Sequence, residues 1–438
     1  MAAVVVLGSE KGGIMSGSQP SDYLPKSAIV YDSQKRTWYT TDSSGKWINI
    51  NEDSVKRRLV ASGFARDRML DGSSMEKEMT RIQDEQNVSY VGPLAGWPIG
   101  IHKHSDDKFL VTKAAMPLTT KDIQCDMLIK IGEAALGEEQ FEWFKGFIRT
   151  RRDAIRNRIF TPSPVAIFAG PAHSYKSFMQ RLITELLGGR MARPWRYMSG
   201  QTSFNGDLYG AEHLCIEDDA PPTDSATQTK IGSHIKSLLF SNDLSAHFKG
   251  RDAVYLKPIW TMSMSTNDEP SNLLCIPPID ESLDDKIALL KTSCIIFPWD
   301  DDKHKQTWMR EHFLEEVQGL AHIIDQHVIR PEWHNDRTII KAYKNSDLLN
   351  MINNISPEEQ LLNMIDVIAK GATIIGKAIE IDLQIRARFS RQTEKIADTH
   401  WKIGVLLGKL AKKHPRRVTR KTIRGSAEWT ILPPLNKA

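Results

Sequence analysis

The chain has 438 residues, 40% of them hydrophobic and 26% charged, with a formal net charge of +4. That length exceeds one simple core and points to two or three domains. The composition is that of a globular protein in water, and no run of about 18 apolar residues marks a membrane span.

The apolar N-terminus, Met1 to Gly8, has no basic residues before it and makes a poor signal peptide, so a cytoplasmic location is expected. The four cysteines, Cys125, Cys215, Cys275 and Cys294, form no Cys-x-x-Cys pair. They read as buried small hydrophobes rather than as metal ligands or a disulfide framework. The charge is uneven. Residues 409 to 438 hold nine Lys/Arg against Glu428 alone, a tail of +8 on a remainder of −4. A positive end on a near-neutral body points to a polyanion partner.

Residues 1 to 22, rich in Gly and Ser, read as a leader. From 28 to 50, apolar runs around Ile29-Val30-Tyr31, Trp38-Tyr39 and Trp47-Ile48 are separated by turn residues, which predicts an antiparallel meander. A helix follows, capped near Asn51 or Asp53 and running through Val55 and Leu59 to Gly63. These elements define a small N-terminal α+β domain at 23–115. Gly137 to Phe160 reads as a helix, with Phe141, Phe144, Phe147 and Ile148 on one side. Its arginines, Arg149, Arg151, Arg152, Arg156 and Arg158, are either a solvated face or a nucleic-acid surface.

The strand Val165-Ala166-Ile167-Phe168 opens the central domain, 116–300 with its helical collar. It runs into Gly170-Pro171-Ala172-His173-Ser174-Tyr175-Lys176-Ser177, after which a helix begins. Strand, glycine-led loop, Lys-Ser and helix are the order a phosphate site needs. Backbone N–H groups hold the anion, Lys176 reaches the outer phosphates, and the Ser177 hydroxyl can ligate Mg²⁺. Tyr175 stands where glycine is usual.

Further on, His213-Leu214-Cys215-Ile216 delivers Glu217-Asp218-Asp219. One acid of such a run can hold Mg²⁺ and its neighbour can polarise the attacking water; the alternative is a solvated acidic turn. Trp260 to Thr266 is another apolar-biased strand, ending in Asn267, which either orients water at the γ-phosphate or caps a turn. Three strands that each end in site chemistry predict a largely parallel sheet with the site at its carboxyl edge. Between the last two, Lys249-Gly250-Arg251 reads as a hairpin tip beside His247 and Phe248, either a contact for a single-stranded backbone or an ordinary basic surface turn.

This motif order resembles the superfamily 3 helicases, most closely the primase-helicase branch of phages, plasmids and large DNA viruses. The stretches Asn267-Asp268-Glu269-Pro270, Pro277-Pro278-Ile279-Asp280 and Gly92-Pro93-Leu94-Ala95-Gly96-Trp97 share in the likeness, which covers most of the chain. The resemblance implies an α/β fold with an AAA+-like P-loop core, ATP and Mg²⁺, and bacterial, phage or plasmid origin. It gives Lys176 and Ser177 the P-loop roles, with Ser177 and Asp218 on the metal and Asp219 on the water. Asn267 becomes the sensor and Lys249 the grip on DNA in a central pore. Three departures bear on the speed of turnover: Tyr175 for glycine, Asp219 for glutamate, and no arginine in the stretch after Asn267. Lys286 and Lys291 are the nearest candidates for a cation acting in trans.

Helical periodicity dominates 301–400, at Trp308 to Gln326 and again from about 357 to 410. The tail, 401–438, reads as a helix ending near Lys413, then a basic strand with Arg416, Arg417, Arg420 and Lys421, and a second strand at Glu428 to Ile431. Its pattern resembles the end of a winged-helix DNA-binding domain. The expected protein is therefore an ATP-driven helicase or translocase on single-stranded DNA that forms a ring, a hexamer by the family pattern, with duplex DNA at the tail and a separate primase or polymerase as partner. The rival is a nucleotide-binding initiator or clamp that does not unwind.

Overall fold

The computed structural model describes residues 29–67, 72–104, 107–116, 119–217, 225–295, 302–423 and 425–433. The leader at 1–22 lies outside them. The chain divides into two compact units: residues up to Val91 with Gly100–Thr112, and Gly92–Ile99 with everything from Lys113 onward.

In the first unit, β1 (Val30–Asp32), β2 (Thr37–Thr41) and β3 (Trp47–Ile50) pair antiparallel, with Tyr39 opposite both Val30 and Asn49. The pleat sends neighbouring side chains to opposite faces. Trp38 joins Ile29, Val55, Leu59 and Ile82, whereas Tyr39 joins Val30, Trp47, Val88 and Leu110. The helix α1 (Glu52–Ala61) starts at Asn51, whose side chain accepts from the Ser54 N–H at 2.9 Å. A capping box of Ser73 and Glu76 starts α2 (Ser74–Glu85). Then β4 (Asn87–Val88) lies parallel to β1. The strands β5 (Tyr90–Gly92), β6 (Gly100–His104) and β7 (Asp107–Val111) form a second sheet in the order β5-β7-β6.

The second unit opens with α3 (Asp126–Leu136) and α4 (Glu138–Asn157). The aromatic side of α4 is core: Phe141, Trp143, Phe144 and Phe147 are at most 1% exposed. Burying side chains of this kind stabilises by about 2–3 kcal/mol each. Two of its arginines are also inside, which neither sequence reading anticipated. Arg151 and Arg152 are 2% and 1% exposed. Arg152 holds Asp325 at 2.7 and 3.0 Å and donates to the Leu186 carbonyl at 2.6 Å. Burial alone would raise the Asp325 carboxyl, but hydrogen bonds from Arg152 and Arg156 outweigh it and leave the group below the ordinary range.

The chain continues through β8 (Val165–Ala169), α5 (Lys176–Leu186), β9 (Met191–Ala192), α6 (Trp195–Met198) and β10 (His213–Ile216). It then passes α7 (Ser225–Phe240), β11 (Leu244–Ala246), β12 (Val254–Leu256), β13 (Thr261–Thr266), α8 (Pro270–Leu273) and β14 (Ile287–Lys291). Five of these strands make one sheet in the order β14-β8-β13-β10-β9, with every pairing parallel. The fold class is thus mixed α/β about a parallel sheet. Strands covered on both faces must be apolar throughout, and β8, β10 and β13 are buried at every residue.

Beyond the sheet, α9 (Asp302–Glu311) and α10 (Phe313–Gln326) pack on the core of α3, α4 and α5. A short hairpin, β15 (His334–Asn335) with β16 (Ile339–Ile340), precedes α11 (Ser346–Ile355). The last core is built from α12 (Pro357–Ala369), β17 (Ile374–Lys377), α13 (Ala378–Ile396), α14 (His400–Lys413), β18 (Val418–Ile423) and β19 (Ser426–Ile431). Its sheet runs β17-β19-β18, all antiparallel. Leu361, Ile381, Leu407 and Trp429 share that core, so the tail strands pack with helices far upstream of 401. Among the described residues no helix is long and apolar enough to cross a membrane.

Candidate nucleotide and nucleic-acid site

The loop from Gly170 to Tyr175 joins the carboxyl end of β8 to the start of α5. Gly170 is required by space: a Cβ there would lie 2.2 Å from the Thr292 carbonyl oxygen and 2.3 Å from its hydroxyl. Ser174 is buried and shares a 2.7 Å hydrogen bond with the Thr292 hydroxyl, so its side chain braces the loop against the end of β14. Pro171, Ala172, His173 and Ser177 are exposed.

Tyr175 takes φ 59° and ψ 18°, the left-handed conformation that glycine usually supplies here, and His173 also has positive φ, 63°. For an L-residue that conformation costs about 1–2 kcal/mol. Among the described residues no side chain caps α5, whose first turn carries the positive end of the helix dipole.

Lys176 is 7% exposed, and its ammonium turns back over the loop. It donates to the carbonyls of Gly170 at 2.9 Å and Pro171 at 2.7 Å, and to the Asn267 side-chain oxygen at 2.9 Å. Asn267 follows β13, which lies directly beside β8 with Thr266 opposite Ala169. The parallel register therefore sets a strand-end asparagine against the loop lysine. Asp218 and Asp219 lie outside the described residues. Their neighbour Glu217, at the end of β10, pairs with Arg193 at 2.5 Å.

The strands behind the loop are tied by a buried polar network. Thr184 of α5 bonds His213 Nδ1 at 2.7 Å, and His213 Nε2 meets the Ser263 hydroxyl at 2.8 Å. Gln180 reaches Ser263 at 3.0 Å and the Ile216 carbonyl at 2.9 Å. Burial pushes the His213 imidazole down to about 3, so it is neutral. Cys294, expected inside, is exposed, with its thiol 3.4 Å from the Ala172 carbonyl of the loop. The other three cysteines are buried.

The expected hairpin is β11 with β12, in register Ser245 opposite Tyr255, and its tip has Gly250 at φ 73°. His247, Lys249 and Arg251 are exposed there, with the Arg251 guanidinium 5.4 Å from the Phe248 ring centroid. Asn205 anchors the base, accepting from His247 N–H at 2.7 Å and donating to the Ser245 carbonyl at 3.0 Å. Beside the tip is a cavity of about 320 Å³ lined by Arg193, Arg196, Tyr197, Phe204, His247 and Lys249.

Lys286 and Lys291 stand at opposite ends of β14, Lys291 at the loop end. Lys291 pairs with Asp347 at 2.8 Å. Lys286 is buried against Asp285 and lies 4.8 Å from the Phe240 ring. Sequence reading missed Arg337, in the β15–β16 turn, which approaches the same ring at 4.9 Å and Asp285 at 3.5 Å. No spacing rule connects it with Lys286, because the hairpin that carries it is too short to show a period.

In the tail, Arg416, Arg420 and Lys421 are exposed. Arg417 is committed within the fold, to Asp366 and, at 3.0 Å, to the Leu432 carbonyl. The segment Gly92–Trp97 packs at the amino end of β10 and β13. Gly96 N–H donates to the buried Glu212 carboxylate at 2.8 Å, and the Trp97 indole donates to the Lys257 carbonyl at 2.7 Å.

No protein-family model matches the sequence, nor does any curated protein. Among solved structures, an apo structure of the NrS-1 C-terminal region is 12% identical, with a TM-score of 0.54 over 93% of this chain and 96% of that one. Its A form gives 0.51 at the same identity, over 93% and 97%. The chain shares the fold of the NrS-1 C-terminal region. A third structure, the SCCmec type IV Cch active helicase, is 11% identical over 89% of this chain and 74% of that one, but its TM-score of 0.29 is too small to bear on the fold.

Proposed function

We propose that the chain is an ATP-dependent DNA helicase or translocase of a replication system, with an AAA+-like core of the superfamily 3 kind, working as a ring of identical subunits. The contact between Lys176 and Asn267 carries this reading. Two residues singled out for chemistry from distant parts of the sequence meet at the carboxyl edge of a parallel sheet, at the start of α5.

In this reading Gly170 to Ser177 cradle the phosphates of ATP, Lys176 neutralises the outer ones, and Asn267 orients the attacking water. Asp219 polarises that water. The exposed Ser177 hydroxyl and the Asp218 carboxylate offer the hard oxygen donors Mg²⁺ prefers, and they would hold it there. The ion would supply charge neutralisation between phosphate oxygens. Tyr175 keeps the left-handed turn, so the loop retains its shape without glycine. A neighbouring subunit completes the site with a cation, from Lys291 or the exposed Arg337, while the buried Lys286 stays with Asp285.

Single-stranded DNA runs over the β11–β12 tip, with Lys249, Arg251 and His247 on its backbone. Duplex DNA lies on the winged-helix-like module of α12 to β19, at Arg416, Arg420 and Lys421; Arg417 supports the wing from within. A separate primase or polymerase supplies synthesis. The test is displacement of a labelled strand from a forked duplex by the purified protein. ATP-dependent displacement supports the motor. Duplex binding with no displacement and no turnover would replace it with the initiator or clamp.

A further inference from the structure

We infer that Lys305, on α9, is a positioning residue for the nucleotide loop and acts through the ring of Tyr175. This inference rests on reading 170–177 as a nucleotide site. At φ 59° and ψ 18°, Tyr175 sits where an L-residue stays only if its surroundings hold it. Its carbonyl accepts from the Met179 N–H at 3.0 Å, so the same residue sets the direction in which α5 starts.

The ring is held from two directions. The Lys305 ammonium is 3.3 Å from the Tyr175 hydroxyl and 5.0 Å from the ring centroid, a hydrogen bond and a cation–π contact made by one group. From the other direction Phe178 meets the ring edge-on at 6.1 Å between centroids. Phe178 packs edge-on against Phe313 at 5.7 Å, and Phe313 against Trp308 at 5.9 Å. Trp308 lies one turn beyond Lys305 on the same helix, so α9 grips residue 175 directly and through an aromatic chain.

If the ring loses its hold, residue 175 can relax toward the right-handed region, and the N–H groups of 174 to 177 turn with it. Those groups are the ones a phosphate needs. Glycine at 175 would adopt the turn unaided and would make Lys305 dispensable. This tyrosine–lysine pair thus replaces the usual glycine with a side-chain hold from a helix about 130 residues downstream.

The experiment uses the full chain as wild type, Lys305→Ala, Lys305→Arg, Tyr175→Gly and Tyr175→Gly/Lys305→Ala. Backbone amide exchange at residues 172–178 is measured without nucleotide, and ATP affinity by calorimetry. Lys305→Ala should speed exchange in the loop, leave the global unfolding temperature near wild type, and weaken ATP binding about tenfold. Lys305→Arg should recover most of that loss. In the Tyr175→Gly background, Lys305→Ala should change affinity less than about twofold. Unchanged loop exchange in Lys305→Ala, or an equal affinity loss in both backgrounds, would overturn the inference. Faster exchange in Lys305→Ala, in a protein whose wild type binds no ATP, would instead sink the nucleotide reading and uphold the positioning role.

Discussion

The ammonium of Lys176 lies 2.9 Å from the side-chain oxygen of Asn267, although 91 residues separate them. Two adjacent parallel strands, β8 and β13, make the meeting, since each delivers one of the pair from its carboxyl end. In the proposed ATP site, an asparagine at that point would follow the γ-phosphate as bonds to it change. We expect Asn267→Ala to keep ATP binding within a few-fold of wild type and to lower turnover by about 10²-fold, the size seen when one well-placed polar group is removed. Binding and turnover measured on the same preparation check this. An equal loss in both would make Asn267 a holder of the loop only.

Gly170 is closed in by the end of β14. A methyl group there would sit 2.2 Å from the backbone oxygen of Thr292, an atom that cannot swing aside. Gly170→Ala should therefore displace the loop and destabilise the protein by about 1–3 kcal/mol, the range for overpacked sites. At Gly45, where nothing lies within 4 Å, alanine meets only the strain of its positive φ, 82°. Denaturant melts of the two variants, with ATP affinity for each, separate crowding at the loop from strain in a remote turn.

Cys294 is the exposed thiol beside the loop, and Cys125, Cys215 and Cys275 are buried. A maleimide should modify Cys294 first and abolish nucleotide binding by crowding Ala172 and its neighbours. ATP should protect the thiol, and Cys294→Ser should bind nucleotide normally and resist the reagent. Loss of binding in the reagent-treated serine variant would place the sensitive cysteine elsewhere.

His213 makes stability depend on pH. Its ordinary value is 6.5, and burial lowers it to about 3 in the folded protein. The unfolded chain thus binds the proton more readily, so this group's contribution is complete above pH 6.5 and declines as pH falls toward about 3. The slope approaches ~1.4 kcal/mol per pH unit, or about 2 kcal/mol between pH 6.5 and 5. Urea melts of wild type and His213→Gln at about pH 7 and pH 5 measure it. The glutamine variant should show the smaller loss on acidification, and equal losses would contradict the assignment.

The sequence shows the elements whose signal is local. Trp38-Tyr39 between two turns reads as a strand because one pleat sends both rings to separate cores. The stretch from Val165 to Leu186 reads as strand, loop and helix because apolar run, glycine and helix start follow one another without interruption. What stayed hidden depends on distant partners. Arg152 looks like a surface charge until Asp325 arrives from α10, and Arg151 until the Thr161 carbonyl accepts from it at 2.7 Å. The segment Gly92–Ile99 has no local sign that it will pack with the larger unit, against Glu212. The strands β18 and β19 looked like a separate tail because the helix that Arg417 grips, α12, lies some fifty residues earlier. Lys305 carries no motif at all, and the placing of its ammonium over the Tyr175 ring reveals it.

The most direct test of the central claim is ATP hydrolysis by the purified protein, with and without single-stranded DNA, beside Lys176→Ala. Turnover should rise with DNA and disappear in the alanine variant. Turnover that survives Lys176→Ala, or a wild type that hydrolyses no ATP with or without DNA, would contradict that claim.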